Sequence, residues 1–159
     1  MIELKLMNDK EALNYTEECL YNYPANLTRI EVLKKDLQVL RSHTDVTIQN
    51  YVRIYSGDDI KKGKKSDPVA SFYEKIEYLE EQIEQIKRDT EPLSKMIQDL
   101  KSPYSTNDSL NADFIKILGL YYFGRNSVAI VLDTTHWSRA GFFRKKNQLV
   151  KLARNYLGY

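Results

Sequence analysis

An all-α fold is predicted, in which a long helical hairpin or coiled coil is followed by a small C-terminal group of short helices. Three observations lead there. Six Gly and four Pro among 159 residues are few for an all-β chain, which needs many turns, while Leu, Lys, Glu and Ile dominate. Apolar residues recur at alternating steps of four and three from Phe72 to Leu100. Near the C-terminus, Ser127 and Ser138 each stand just before a run with helical periodicity, where a hydroxyl can cap a helix.

In chain order, residues 9 to 21 read as a short helix. Asn22-Tyr23-Pro24-Ala25-Asn26 follows, and Pro24 is expected to interrupt the helix because it lacks the amide that an interior turn uses, leaving Asn26 to cap the next one. From Leu27, the residues Ile30, Leu33, Leu37 and Leu40 fall at steps of three, four and three, one stripe down to about Arg41. Residues 44 to 70 are less regular. Ser56-Gly57-Asp58-Asp59 and Lys61-Lys62-Gly63-Lys64-Lys65 are turn-like, and the β-branched and aromatic stretch Thr47 to Tyr55 allows a short strand, although an extended helix or an irregular connection is favoured.

Asp67-Pro68 then opens the clearest pattern in the chain. Phe72, Ile76, Leu79, Ile83, Ile86, Thr90, Leu93, Ile97 and Leu100 form a heptad seam, flanked by Glu74, Lys75, Glu77, Glu80, Glu81, Glu84, Lys87 and Arg88. Thr90 places a hydroxyl in the seam, and Pro92 should kink the helix without changing its phase. The 27 to 41 helix covers part of this seam at most. The rest is expected to bury itself against a second copy, giving a homodimer through the 72–100 helix, with a partnerless intramolecular bundle as the alternative.

Ser102 to Leu110, with Pro103, Ser105, Thr106, Asn107, Asp108 and Ser109, reads as a linker. The expected division is therefore 1–104, a helical hairpin or coiled-coil oligomerisation region, and 105–159, a separate domain. Charge divides in a similar place. The chain totals 24 Lys and Arg against 22 Asp and Glu, a net +2, but residues 112 to 159 hold eight basic and two acidic residues, +6, which leaves −4 for residues 1 to 111. Such asymmetry suggests that the C-terminal third meets something anionic.

Within that third, Ala112 to Tyr122 is an apolar helix ending at Gly124. Asn126 or Ser127 can cap a helix from Val128 to Leu132, Asp133-Thr134-Thr135-His136-Trp137 breaks the pattern, and Ser138 can cap a last helix to about Leu157 with Phe142, Leu149, Ala153 and Tyr156 on one face. Three helices with a short final connection have the arrangement of a helix-turn-helix. Ala140, Arg144, Asn147, Gln148 and Lys151 occupy the opposite face of the last helix, and residues 139 to 154 contain six basic side chains and no acidic one. Arg can bond guanine, and Asn or Gln adenine, in two-point fashion, while Lys mostly neutralises phosphate. The candidate contacts to double-stranded DNA are thus Arg125 and Ser127 at one helix start, Ser138, Arg139, Ala140, Arg144, Asn147 and Gln148 toward the bases, and Lys145, Lys146, Lys151 and Arg154 toward phosphates. The competing reading is an amphipathic basic helix on a membrane or an acidic protein.

Val128-Ala129 to Leu132, then Ser138-Arg139, Phe142-Phe143-Arg144 and Leu149, resemble the helix-turn-helix that ends phage late-gene transcription activators of the RinA and ArpU type, itself similar to the promoter-reading domain of sigma factors. Tyr23-Pro24 before one helix and Ser66-Asp67-Pro68 opening the next resemble the same regulators, so the likeness covers most of the chain. It implies a phage or prophage transcription regulator, an activator of late genes, with RNA polymerase as a candidate partner. A small phage DNA-packaging, terminase-like subunit that binds DNA and oligomerises is the alternative. In this comparison the segment from Leu132 to Ser138 looks about three residues longer than the usual turn, and Gly141 inside the reading helix costs roughly 1 kcal/mol relative to Ala.

Other chemistries find little to work with. One cysteine, Cys19, makes no internal disulfide, and with two histidines it does not complete a four-ligand zinc site. A lone Cys in an amphipathic helix is read as a small buried hydrophobe, and His136 beside Trp137 as turn packing or a phosphate contact rather than catalysis. With no convergent catalytic set, no enzyme, metal or cofactor is expected. Neither a membrane helix of roughly 18 apolar residues nor a signal-peptide core is visible, so the expected place is the cytoplasm. The 12 tyrosines, Tyr73, Tyr78, Tyr121 and Tyr122 among them, are expected to pack in cores and interfaces.

Overall fold

The computed structural model describes residues 7–43, 68–104 and 107–159, and every regular element among them is helical. They are α1 (Asp9–Ser42), α2 (Pro68–Leu100), α3 (Asp108–Ile117) passing directly into a π-helical turn (Leu118–Phe123), α4 (Val128–Thr135) and α5 (Arg139–Leu157). The all-α class is as expected. The segment 47–55, the turn-like runs between 56 and 65, Ser66-Asp67, and Ser105 and Thr106 of the linker lie outside the described residues.

α1 opens with a reciprocal cap. Asn8 Oδ1 accepts from the Glu11 amide at 2.9 Å, and Glu11 Oε2 accepts from the Asn8 amide at 3.2 Å, so two amides that a helix start leaves without partners are satisfied together. The expected break at Pro24 does not occur: α1 is one helix of 34 residues with Pro24 inside it and Asn26 in its interior. An internal proline costs a helix about 3 kcal/mol. Burial on both sides offsets this, since Ala12, Thr16, Cys19 and Leu20 are buried before it and Ile30 and Leu37 after it, and each large apolar side chain removed from water contributes about 1.5–3 kcal/mol. α2 likewise continues through Pro92, and begins at Pro68, where a helix has no use for the missing amide.

The chain clusters into two compact units, 28–87 and 1–27 with 88–159. In the first, Ile30 and Leu37 of α1 and Ile83 of α2 are buried, Leu33 and Leu40 are half-buried, and Arg41 forms an ion pair with Glu80. Every seam position from Phe72 to Leu100 is buried or half-buried within the chain itself, whereas Tyr73 and Tyr78, expected to pack beside the seam, are 49% and 59% exposed. Being next to a seam position turns a side chain roughly 100° away from it, which on this helix faces solvent.

The second unit holds the larger core. Leu20 of α1, Leu93 and Met96 of α2, Phe114 and Ile117 of α3, Tyr122 of the π-turn, Val131 of α4, and Phe142, Leu149 and Ala153 of α5 belong to one buried cluster. Compactness therefore does not follow the expected division near 105, because N-terminal helices supply part of the core on which the C-terminal helices rest. Helix α3 also begins at Asp108, inside the expected linker. No helix among the described residues is long and apolar enough to cross a membrane.

Candidate nucleic-acid interface

The C-terminal elements are positioned by local chemistry that can be followed residue by residue. After α3 the helix widens into the π-turn, where the Gly124 amide bonds the Gly119 carbonyl at 2.9 Å, five residues back. Gly124 is required there. A Cβ at this position would lie 2.8 Å from the Gly119 oxygen and 2.9 Å from the Leu120 oxygen. Arg125 follows with a left-handed φ of 51° and donates a guanidinium hydrogen bond to the Tyr21 carbonyl at 3.3 Å, while the Asn126 amide nitrogen of the side chain donates to the Leu120 carbonyl at 2.9 Å.

Of the two candidate caps it is Ser127 that starts α4, its hydroxyl accepting from the Ile130 amide at 3.4 Å. The helix runs three residues past the expected end at Leu132. Thr134 and Thr135 are helical, with their hydroxyls donating to the Ile130 and Val131 carbonyls at 2.9 and 2.8 Å. His136 then takes a left-handed φ of 60° and returns its amide to the Leu132 carbonyl at 2.8 Å, ending the helix as a glycine usually does. Only His136, Trp137 and Ser138 separate α4 from α5, so the extra residues counted into the turn from sequence belong to α4.

Ser138 caps α5, accepting from the Gly141 amide at 3.0 Å. A Cβ on residue 141 would stand 2.9 Å from that hydroxyl oxygen, which gives Gly141 a reason to be there. Phe142, Leu149 and Ala153 are fully buried and Val150 is nearly so, and the Tyr156 hydroxyl donates to Asp99 at 2.6 Å. The buried face is the one expected.

The twelve candidate contact residues fall into three groups. Arg139, Ala140, Arg144, Asn147, Gln148 and Lys151 are exposed along α5, and the three charged ones make no ion pair among the described residues. Arg125, Ser127 and Ser138 are exposed at the two helix starts, with Ser127 and Ser138 committed to capping. Lys145, Lys146 and Arg154 are the exception to the sequence reading: each already holds a carboxylate, Asp113 at 2.9 Å, Glu17 at 2.7 Å and Asp9 at 2.7 Å. Lys145 also lies 4.1 Å above the Trp137 ring, a cation–π contact that packs the turn onto α5. The last helix offers an anion fewer free charges than its composition suggests.

Glu17 of α1 had no signal in the sequence. One of its oxygens, Oε1, accepts from Lys146 and, at 2.9 Å, from the hydroxyl of fully buried Tyr122, so a single carboxylate ties the π-turn and α5 to α1. Burial, and then the Glu17 charge, push the Tyr122 hydroxyl well above its ordinary pKa. Around it Tyr21 packs against Tyr121 and Tyr122, and Tyr121 against Phe142, with centroids 4.8 to 5.7 Å apart. These tyrosines do pack as expected.

Comparison with protein-family models, with curated proteins and with solved structures finds no match for the chain.

Proposed function

We propose that the protein binds double-stranded DNA in a sequence-specific way through α5, acting as a transcription regulator of the phage late-gene activator kind that its C-terminal segments resemble. The observation that carries this reading is the pair α4 and α5, joined by three residues and each started by a serine cap, with an exposed α5 face that contributes no carboxylate of its own and presents Arg144, Asn147, Gln148 and Lys151. A helix held by its opposite face on a rigid core can enter a major groove without deforming, and its first turns reach base edges. Arg139 and Arg144 stand in those turns, with Ala140 leaving room for close approach. Homodimerisation through the 72–100 helix and contact with RNA polymerase belong to the same reading, and sedimentation of the intact chain tests the first.

The decisive experiment selects bound duplexes from a randomised pool and footprints the selected site. Arg144→Ala is expected to weaken binding to that site by roughly 1–3 kcal/mol and to random DNA hardly at all, whereas Lys151→Ala weakens both alike. Equal weakening by both variants on both duplexes would mean that α5 supplies charge alone, and the sequence-specific reading would fall.

A further inference from the structure

Helix α5 is not the only wall of its own polar surface. A cleft of about 450 Å³ is lined by Lys10, Asn14 and Glu17 from α1 and by Lys146, Asn147 and Lys151 from α5, with Leu13 and Val150 as its apolar part. Its charges are not equivalent. Glu17, the one carboxylate, is already held by Lys146 at 2.7 Å and by the Tyr122 hydroxyl at 2.9 Å, and Lys146 spends its charge in the same contact. Lys10 and Lys151 are exposed and make no ion pair among the described residues, and two amide side chains stand with them. The cleft thus presents two free ammonium groups and neutral donors to an anion, with its own acid cancelled from behind.

From this we infer that the first turns of α1 are part of the DNA-binding surface: the cleft takes the phosphate backbone of the duplex whose bases face α5, with Lys10 and Asn14 on one side of the strand and Asn147 and Lys151 on the other. The inference rests on the DNA-binding reading above and adds a second element to it. A duplex backbone suits the cleft better than a peptide, because backbone phosphates recur along both edges of a groove and would meet a lysine beside the reading helix, and because affinity from such contacts is electrostatic and independent of sequence.

The test uses the full chain and a random-sequence duplex, with binding measured over a series of salt concentrations. Removing one phosphate-neutralising cation makes the slope of log affinity against log salt shallower by about 0.9. Lys10→Ala is expected to produce one such step, Lys10→Ala with Lys151→Ala two, and Lys35→Ala, exposed elsewhere on α1, none. Lys10→Gln is measured beside it, so that the result does not hang on one variant's helicity, and it should reproduce the single step. If Lys151→Ala lowers the slope while Lys10→Ala and Lys10→Gln both leave slope and affinity at their wild-type values, the cleft does not hold phosphate and DNA binding by α5 stands. If the wild-type chain binds no duplex at any salt concentration, the DNA-binding reading fails and the cleft assignment with it.

Discussion

At the scale of single residues, Gly119 inside the π-turn and Gly124 just after it make opposite demands. Gly124 has backbone carbonyls 2.8 and 2.9 Å from where a Cβ would stand, and these oxygens belong to the turn itself, so neither can move without unwinding it. Gly119 has nothing within 4 Å of its added Cβ. Gly124→Ala is therefore expected to destabilise by about 1–3 kcal/mol, as overpacking does, and Gly119→Ala, in open space within a helical turn, to stabilise by about 0.5–1 kcal/mol, both read from urea unfolding. Tyr122 carries a second prediction. Its hydroxyl, like that of Tyr15, is held far above the ordinary tyrosine value chiefly by burial, and burial pushes the Cys19 thiol up to about 12. In each case the folded state holds the proton more tightly than the unfolded chain, which releases it near pH 8.5 for the thiol and near 10 for the tyrosines. The stabilisation is complete below those values and is lost as pH rises through them toward the folded-state values, so the urea midpoint should fall between pH 8 and 11. Tyr122→Phe should lower the midpoint at pH 8, by loss of a hydrogen bond to a charged acceptor worth about 1.5–3 kcal/mol, and make the alkaline fall smaller. An unchanged alkaline fall would show that this hydroxyl does not titrate differently in the two states.

Elements depend on their ends here more than on their propensities. Helix α5 has Gly141 one turn in, which intrinsic propensity disfavours by about 1 kcal/mol relative to Ala, yet the same glycine leaves space for the Ser138 cap. Ser138→Ala should cost about 1 kcal/mol in thermal or urea unfolding. Gly141→Ala alone should change little, because the gain in propensity is offset by displacement of the cap oxygen. In the Ser138→Ala background the same substitution should stabilise by about 1 kcal/mol, and a gain of that size in the wild-type background instead would show that cap and glycine are independent. Where an element's end is local chemistry, it was legible in the sequence. Ser138 and the stripe of Phe142, Leu149 and Ala153 could be named from spacing alone, and the cap of α4 could be narrowed to Asn126 or Ser127. The extension of α4 to Thr135 could not, because threonine hydroxyls that bond back to helical carbonyls look the same on paper as threonines in a loop.

For the whole molecule, the C-terminal helices and parts of α1 and α2 form one core. Leu20, Leu93 and Met96 are buried in the same cluster as Phe142 and Leu149, so an isolated piece of residues 105–159 would expose the inner faces of Phe114, Ile117 and Tyr122 to water. Each such side chain is worth about 1.5–3 kcal/mol, and losses of that size exceed the stability a piece of this length can hold in reserve. The piece is expected to show weak helicity and no cooperative melting by circular dichroism, in contrast to the intact chain; a sharp melting transition would make it a domain in its own right. Composition suggests a division near 105, whereas the compact unit that holds the C-terminal helices also takes in residues 1–27 and 88–104, because turn-rich composition reports local backbone preference and not what packs against the neighbouring helices.

By itself the sequence determined the helical class, the seam from Phe72 to Leu100, the Ser138 cap and the two faces of α5, all of which follow from periodicity and hydrogen-bonding chemistry within a few residues. Only the tertiary structure decided that α1 passes through Pro24, that Ser127 rather than Asn126 caps α4, that Lys145, Lys146 and Arg154 are bound to Asp113, Glu17 and Asp9, and that Lys10 and Lys151 line one cleft. Those outcomes depend on residues far apart in the chain or on burial that outweighs a local penalty, and neither leaves a mark on spacing. The number of charges on α5 was legible from its composition, but which of them remain free was set by carboxylates arriving from other helices.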